Sequence, residues 1–211
     1  MRTDFSKILE SPADTFAEGL RFFQGEGMVN EALRRLVSDL EAHRIEYSVI
    51  GAVALNQHGY QRFTTDIDLL MSPEGLERFR NELVGRGYRP AFNGATKKFR
   101  ETIQNVPIEI ITSGEYPGDG RPKSVRFHDP SVRFVVIDGI KTVDLARLVE
   151  LKLASGMTGL ARLKDLADVQ ELIRVRQLDA AFASQLDPFV TDKYRELHAE
   201  VAAAREQEER E

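Results

Sequence analysis

Two carboxylates sit two residues apart inside an apolar run, Asp66-Ile67-Asp68-Leu69-Leu70. On an extended strand residues i and i+2 share a face, so Asp66 and Asp68 project together while Ile67 and Leu69 pack inward. Like charges this close repel, and one carboxyl keeps a proton unless a cation sits between them. A divalent ion removes the conflict. Ions held by two or three carboxylates polarise phosphoryl groups and activate attacking oxygens. A third acid is available in Val106-Pro107-Ile108-Glu109-Ile110-Ile111-Thr112, where Glu109 is the single charge and Ile108 and Ile110 face the other way. If this strand lies beside the first, Glu109 joins Asp66 and Asp68. Phosphates would need a seat, and Ile50-Gly51-Ala52-Val53 reads as a strand, a glycine turn and a helix start. Free backbone N–H groups at such a junction bind anions.

The rest of the composition narrows the chemistry. The chain has 211 residues, no cysteine and four histidines, no two of them at helical i, i+4 spacing. Thiolate and disulfide chemistry are excluded, and a histidine-built metal site is disfavoured. An ion here would be held by oxygen, which points to Mg²⁺ or Mn²⁺. A hydrophobic fraction of 42%, a charged fraction of 30% and a net charge of −5 describe an ordinary globular chain without a broad basic surface. No window approaches the roughly 18 apolar residues of a membrane span. A cytoplasmic location and no membrane partner are the default expectations.

Several elements must position these residues. Residues 1–27 read as a peripheral N-terminal arm with one short helix. From Asn30, a plausible N-cap, the spacing of Leu33, Leu36, Val37 and Leu40 predicts a helix. Tyr47–Gly51 predicts a short buried strand, Ala52–Tyr60 a helix of about two turns, and Asp66–Met71 a strand by its alternation. Ser72 and Pro73 open a further helix that ends near Gly85 or Gly87. Strands follow around Lys97–Glu101 and Pro107–Thr112. Residues 112–122 read as loop, and Arg133–Asp144 as a hairpin turning at Asp138-Gly139. Beyond Leu145 the pattern is helical, broken at Met157-Thr158-Gly159. The organisation is an arm (1–27), a mixed α/β core (28–140) and a helical C-terminal region (141–211).

The motif of Gly51 and a small residue, 13 intervening residues, Asp66-Ile67-Asp68 and a later Ile108-Glu109-Ile110 resembles the nucleotidyltransferase superfamily related to polymerase beta. More narrowly, Gly51 to Leu70, with Arg62-x-Thr64-x-Asp66-Ile67-Asp68, resembles AbiEii-type and related small bacterial nucleotidyltransferases. The likeness spans roughly residues 45–175. It implies a mixed sheet with flanking helices, followed by a helical region. That region carries a lysine on one helix and a basic–acidic pair on the next, matched here by Lys152, Lys164-Asp165 and Asp168. The sequence departs in two places: Ala52 stands where relatives have Gly or Ser, and Glu109 where many have Asp.

The resemblance implies transfer of a nucleotidyl group from an NTP to an acceptor hydroxyl. Asp66, Asp68 and Glu109 would hold the metal, and Gly51 and Ala52 would cradle phosphates. Arg62, Lys152 and Lys164 would neutralise charge on the nucleotide, and Asp165 or Asp168 would take the acceptor proton. Each also has a plainer reading: solvated strand acids, a strand-ending glycine, a snorkelling Lys152, an i, i+4 ion pair of Lys164 with Asp168. The acceptor stays open among RNA ends, a protein hydroxyl and a small molecule. Relatives include toxins of toxin–antitoxin pairs, so a cognate antitoxin or regulator is an implied partner. Ala52 and Glu109 also feed an alternative, a catalytically weakened nucleotide-binding or regulatory module. A purely structural partner protein is a third reading.

Overall fold

The computed structural model describes residues 4–208 and 210. A seven-stranded mixed sheet runs in the order β3-β4-β5-β2-β1-β7-β6. Its strands are β1 (Tyr47–Ile50), β2 (Ile67–Met71), β3 (Tyr88–Pro90), β4 (Lys98–Glu101), β5 (Pro107–Thr112), β6 (Phe134–Ile137) and β7 (Ile140–Val143). β2 is antiparallel to β1 and parallel to β5, and β1 is parallel to β7. The expected fold class, a mixed sheet with flanking helices and a helical C-terminal region, is the one observed.

Period-two alternation divides the apolar residues between two cores. Ile67, Leu69 and Met71 of β2, Val49 of β1, and Ile108 and Ile110 of β5 enter a first core. That core is shared with α3 (Met28–Ala42) and α5 (Pro73–Glu82) through Leu36, Leu40, Leu76 and Phe79. Leu70 of β2 and Ile50 of β1 point the other way. They meet α4 (Gly51–Gln57), α6 (Leu145–Gly156) and α7 (Leu163–Arg176) through Leu55, Val149, Leu153, Val169 and Leu172. The same alternation sends Asp68 and Glu109 to this second face. The acids therefore look toward the C-terminal helices.

Those helices are held by a tight crossing. A Cβ on Gly156 would lie 2.5 Å from Leu166 Cδ2 and 3.1 Å from the Leu166 backbone nitrogen, so only glycine lets α7 start this close to α6. α6 begins at Asp144, whose carboxylate accepts from the Arg147 N–H at 2.7 Å. α8 (Pro188–Glu208) covers the pair with Val190, Tyr194 and Leu197.

Several expectations are corrected in detail. The first 27 residues hold two helices, α1 (Phe5–Ile8) and α2 (Pro12–Phe23), and Phe5 and Phe22 are buried in the first core. α3 begins at Met28 rather than after Asn30. The buried Glu18 carboxylate accepts the Met28 N–H at 2.5 Å, while the Asn30 amide donates back to the Phe22 and Glu26 carbonyls. β2 begins at Ile67, which leaves Asp66 in the bend before it. β3 is an additional edge strand of three residues. The hairpin turns at Asp138 and Gly139 as expected, with φ of 51° and 79°.

Candidate active site

The centre of the site is set by strand register. Asp68 and Glu109 are direct partners on parallel β2 and β5, and Ile50 of β1 is the partner of Asp68 on its other side. Side chains directly opposite each other stand on one face of a sheet. Gly51 follows Ile50 with φ of +65°, a conformation that costs a side-chain-bearing residue dearly. A Cβ there would also collide with the Asp68 carboxylate, reaching Asp68 Cγ at 2.8 Å. The glycine thus serves two ends: it turns the chain into α4 and leaves room for Asp68.

Asp66 stands at the entry to β2, its Oδ1 accepting the Thr64 hydroxyl at 2.6 Å. Glu109 is about two-fifths exposed and pairs with Lys98 Nζ at 3.3 Å. Among the described residues no donor or cation lies within bonding distance of Asp68. Burial, then the charges of Asp66 and Glu109, push the Asp68 carboxyl up to about 7 against the pull of Lys152 and Arg62.

A different arrangement lies one layer away. Asp168 on α7 is 2% exposed and accepts from Arg62 Nη1 at 2.8 and 2.7 Å. Lys152 on α6 donates to Asp168 at 2.8 Å and to Asp165 at 2.7 Å, and the Ser155 hydroxyl donates to Asp165 at 2.6 Å. Arg62 itself is anchored by Asn56. The Arg62 N–H donates to Asn56 Oδ1 at 2.9 Å, and the Asn56 amide donates to the carbonyls of Arg62 and Ala52 at 2.6 and 2.8 Å. The Lys164–Asp168 pair that helical spacing allows is not formed: Arg62 and Lys152 occupy Asp168, and Lys164 is exposed.

Two cavities meet at this junction and share Gly51, Asp68 and Lys152 as walls. The smaller, about 290 Å³, adds Ala52, Arg62, Thr65, Asp66 and Lys164. The larger, about 490 Å³, adds Glu109, Asp165, Lys98 and Arg162, with Ile111, Tyr116, Phe127 and Leu148 as a more apolar side. Every residue singled out in the sequence lines one or both cavities except Asp168, which lies behind them.

The donor set suits a hard, oxygen-binding cation: the carboxylates of Asp66, Asp68 and Glu109 line the cavities, and that of Asp68 is unpaired. As the side chains stand, however, no three acidic or histidine side chains among the described residues converge closely enough to hold an ion. Glu109 is drawn to Lys98 and Asp66 to Thr64. The three acids share a wall without forming a closed cluster.

Asn56, Ser155 and Lys98 were not picked out from the sequence. Ser155 had a signal, since it lies at i+3 from Lys152 on one helix face. Lys98 had only the alternation of Lys98-Phe99-Arg100, and Asn56 had none, because its partners are fixed by a non-periodic loop.

No protein-family profile matches this chain, and no curated protein does. Solved structures do. JHP933 from Helicobacter pylori is similar at 16% identity over 86% of this chain and 92% of its own, with a TM-score of 0.46. The antibiotic-resistance factor ANT(2'')-Ia is similar in its solution structure at 12% identity over 85% of this chain and 96% of its own, with a TM-score of 0.47. Its crystal structure in complex with adenylyl-2''-tobramycin gives 12% identity over 82% and 95%, with a TM-score of 0.49. The mixed sheet, its flanking helices and the helical region behind Asp68 are the architecture expected from the sequence.

Proposed function

We propose that this protein is a nucleotidyltransferase that moves a nucleotidyl group from an NTP to an acceptor hydroxyl and releases pyrophosphate. The carrying observation is the junction itself. A pair of in-register carboxylates, Asp68 and Glu109, stands where a cation-lined cavity meets a larger, partly apolar one. The smaller cavity suits a polyphosphate, with Arg62, Lys152 and Lys164 as counter-charges and the Gly51-Ala52 backbone beside them. The larger suits the acceptor.

Asp66, Asp68 and Glu109 would hold a divalent ion, Mg²⁺ or Mn²⁺, which when bound supplies charge neutralisation and polarisation of the phosphoryl group. The chain's own residues do the rest. Arg62 and Lys152, preset by Asp168, hold positive charge where negative charge builds on the leaving pyrophosphate. Asp165 is the carboxylate of α7 that lines the larger cavity, so we assign it, rather than Asp168, to accept the hydroxyl proton. Asp168 then acts through the two cations that it orients.

A toxin–antitoxin role, an AbiEii-type affiliation and an antitoxin partner rest on the sequence resemblance alone. No described helix is long and apolar enough to cross a membrane. A second reading, a nucleotide-binding module without catalysis, is favoured by one observation: Glu109 is paired with Lys98, and among the described residues the acids form no closed cluster.

Thermal unfolding with Mg²⁺ and each NTP in turn tests binding, because a ligand of the native state raises the melting temperature by mass action. Incubation with labelled NTPs and cell extract then separates the two readings. Label moved to an acceptor by the native chain, and not by the Asp66→Ala/Asp68→Ala double variant, supports the transferase. Binding without transfer supports the module.

A further inference from the structure

We propose that Lys98 is a positioning residue for the third carboxylate, holding Glu109 toward β4 and competing with a divalent cation for it. The inference rests on the cation-binding reading above and gives that reading a control on affinity.

The placement is a matter of register. Lys98 of β4 is the direct partner of Glu109 on antiparallel β5, and Glu109 is the direct partner of Asp68 on parallel β2. Asp68, Glu109 and Lys98 therefore form one row across three adjacent strands, on the face that looks into the larger cavity. Lys98 Nζ lies 3.3 Å from Glu109 Oε2. The neighbouring Lys97 is not a substitute, because it is engaged by Glu115 and Thr112. Among the described residues Lys98 is the one cation in contact with any of the three acids.

The consequence follows from charge. Glu109 has a cation on its β4 side and two like charges on its β2 side, so its resting position is toward Lys98. A divalent ion seated at Asp66 and Asp68 must draw Glu109 back across the row. It does so against an ion pair whose members are 57% and 42% exposed, a pair of the weak, solvent-screened kind. The competition is therefore modest, roughly two- to fivefold in cation affinity. It is strongest at low salt.

The test is a Mn²⁺ titration of the full chain without nucleotide, following free Mn²⁺ by electron paramagnetic resonance at low ionic strength. Lys98→Met should tighten Mn²⁺ binding roughly two- to fivefold. Lys98→Arg, which keeps the charge, should stay near the native value. In a Glu109→Gln background the Lys98→Met gain should vanish, since no carboxylate is left to release. Lys98→Gln serves as a second neutral variant should the methionine disturb folding, which circular dichroism would reveal. Unchanged or weaker Mn²⁺ binding in the neutral variants overturns the proposal, as does a full gain that persists without Glu109. The underlying reading fails separately: if Asp66→Asn removes no Mn²⁺ site from the native chain, the acids do not bind the cation and Lys98 has nothing to compete with.

Discussion

Two charged clusters meet at the junction of the cavities, one of balanced sign and one acidic, and they are built on different terms. In the Arg62–Asp168–Lys152–Asp165–Ser155 network every carboxylate oxygen has a donor, at 2.6 to 2.8 Å. At the strand ends, Asp68 has none, and the charges that act on it most strongly are the like charges of Asp66 and Glu109. Asp168 at the centre of the first cluster is nearly fully buried, whereas the second opens to solvent at Glu109. A satisfied buried network rigidifies its surroundings, whereas an unsatisfied buried charge is unstable until something binds it. Asp168 and the cations it holds read as scaffold, Asp165 as their edge on the larger cavity, and the strand acids as the cation-binding end.

The largest effect should come from removing the unpaired charge. Asp68→Asn should cut nucleotidyl transfer by roughly a thousandfold or more, measured with labelled NTP. It should also stabilise the fold above neutral pH. The Asp68 carboxyl is raised to about 7 from its ordinary value of 3.8, so the folded chain binds more protons than the unfolded chain between these limits. The protonated acid thus favours folding below the unfolded value, and that contribution is lost as pH rises toward the folded one. It amounts to an order of 4 kcal/mol at most. Melting temperatures from pH 4 to 8 should fall in the native chain more steeply than in Asp68→Asn. Parallel profiles would mean that the acid corner is not under electrostatic stress and that the contrast between the clusters is wrong.

The scaffold should respond in the opposite sense. Asp168→Ala leaves Arg62 and Lys152 without their shared anion and should cost about 3 kcal/mol of stability by chemical denaturation. If transfer survives at saturating NTP while the KM for NTP rises, Asp168 acts by positioning the cations. A collapse of kcat with KM unchanged would instead return Asp168 to a direct part in proton transfer.

Gly51→Ala touches both clusters through Asp68. The added methyl meets a +65° φ and the Asp68 carboxylate together. A loss of about 2 kcal/mol is expected from backbone strain alone. Because the methyl also displaces Asp68, the pH dependence of melting should flatten in this variant. A variant that is destabilised but keeps the native pH profile would show that Asp68 stays in place, and that the glycine serves the turn only.

Much of this division could be read from the chain before folding. Alternation alone assigns Ile67 and Leu69 to one face and Asp68 to the other, and the lone Glu109 between isoleucines does the same for β5. Ser72-Pro73 and Asp138-Gly139 mark their helix start and turn because capping and positive φ are local demands. Pairings between distant segments were not legible. The register that sets Lys98 opposite Glu109 depends on how two strands slide, and a slip of one residue would reverse every side chain. The α3 start was misplaced because Glu18, from another helix, supplies the cap. The lysines of the C-terminal helices are legible as charges, but which of Lys164 and Lys152 reaches Asp168 depends on the close crossing at Gly156.

The smallest expected effect falls on Asn56, which belongs to the scaffold without carrying charge. Its amide bridges the Ala52 and Arg62 carbonyls while its oxygen takes the Arg62 N–H, so one side chain pins the loop that delivers Arg62. Asn56→Ala removes these bonds where water can partly replace them, and should cost about 1 kcal/mol. Released from its clamp, Arg62 should lose its double contact with Asp168 part of the time, which lowers the positive charge facing the smaller cavity. NTP affinity should then fall by roughly three- to tenfold, since a hydrogen bond to a charged group contributes about 1 kcal/mol or somewhat more. Mn²⁺ affinity in the absence of nucleotide should not move, because Asn56 touches none of the three strand acids. Isothermal titrations of each ligand check the pair of outcomes. A change in both affinities would mean that the two clusters are one coupled unit; a change in nucleotide affinity alone keeps scaffold and cation-binding corner apart.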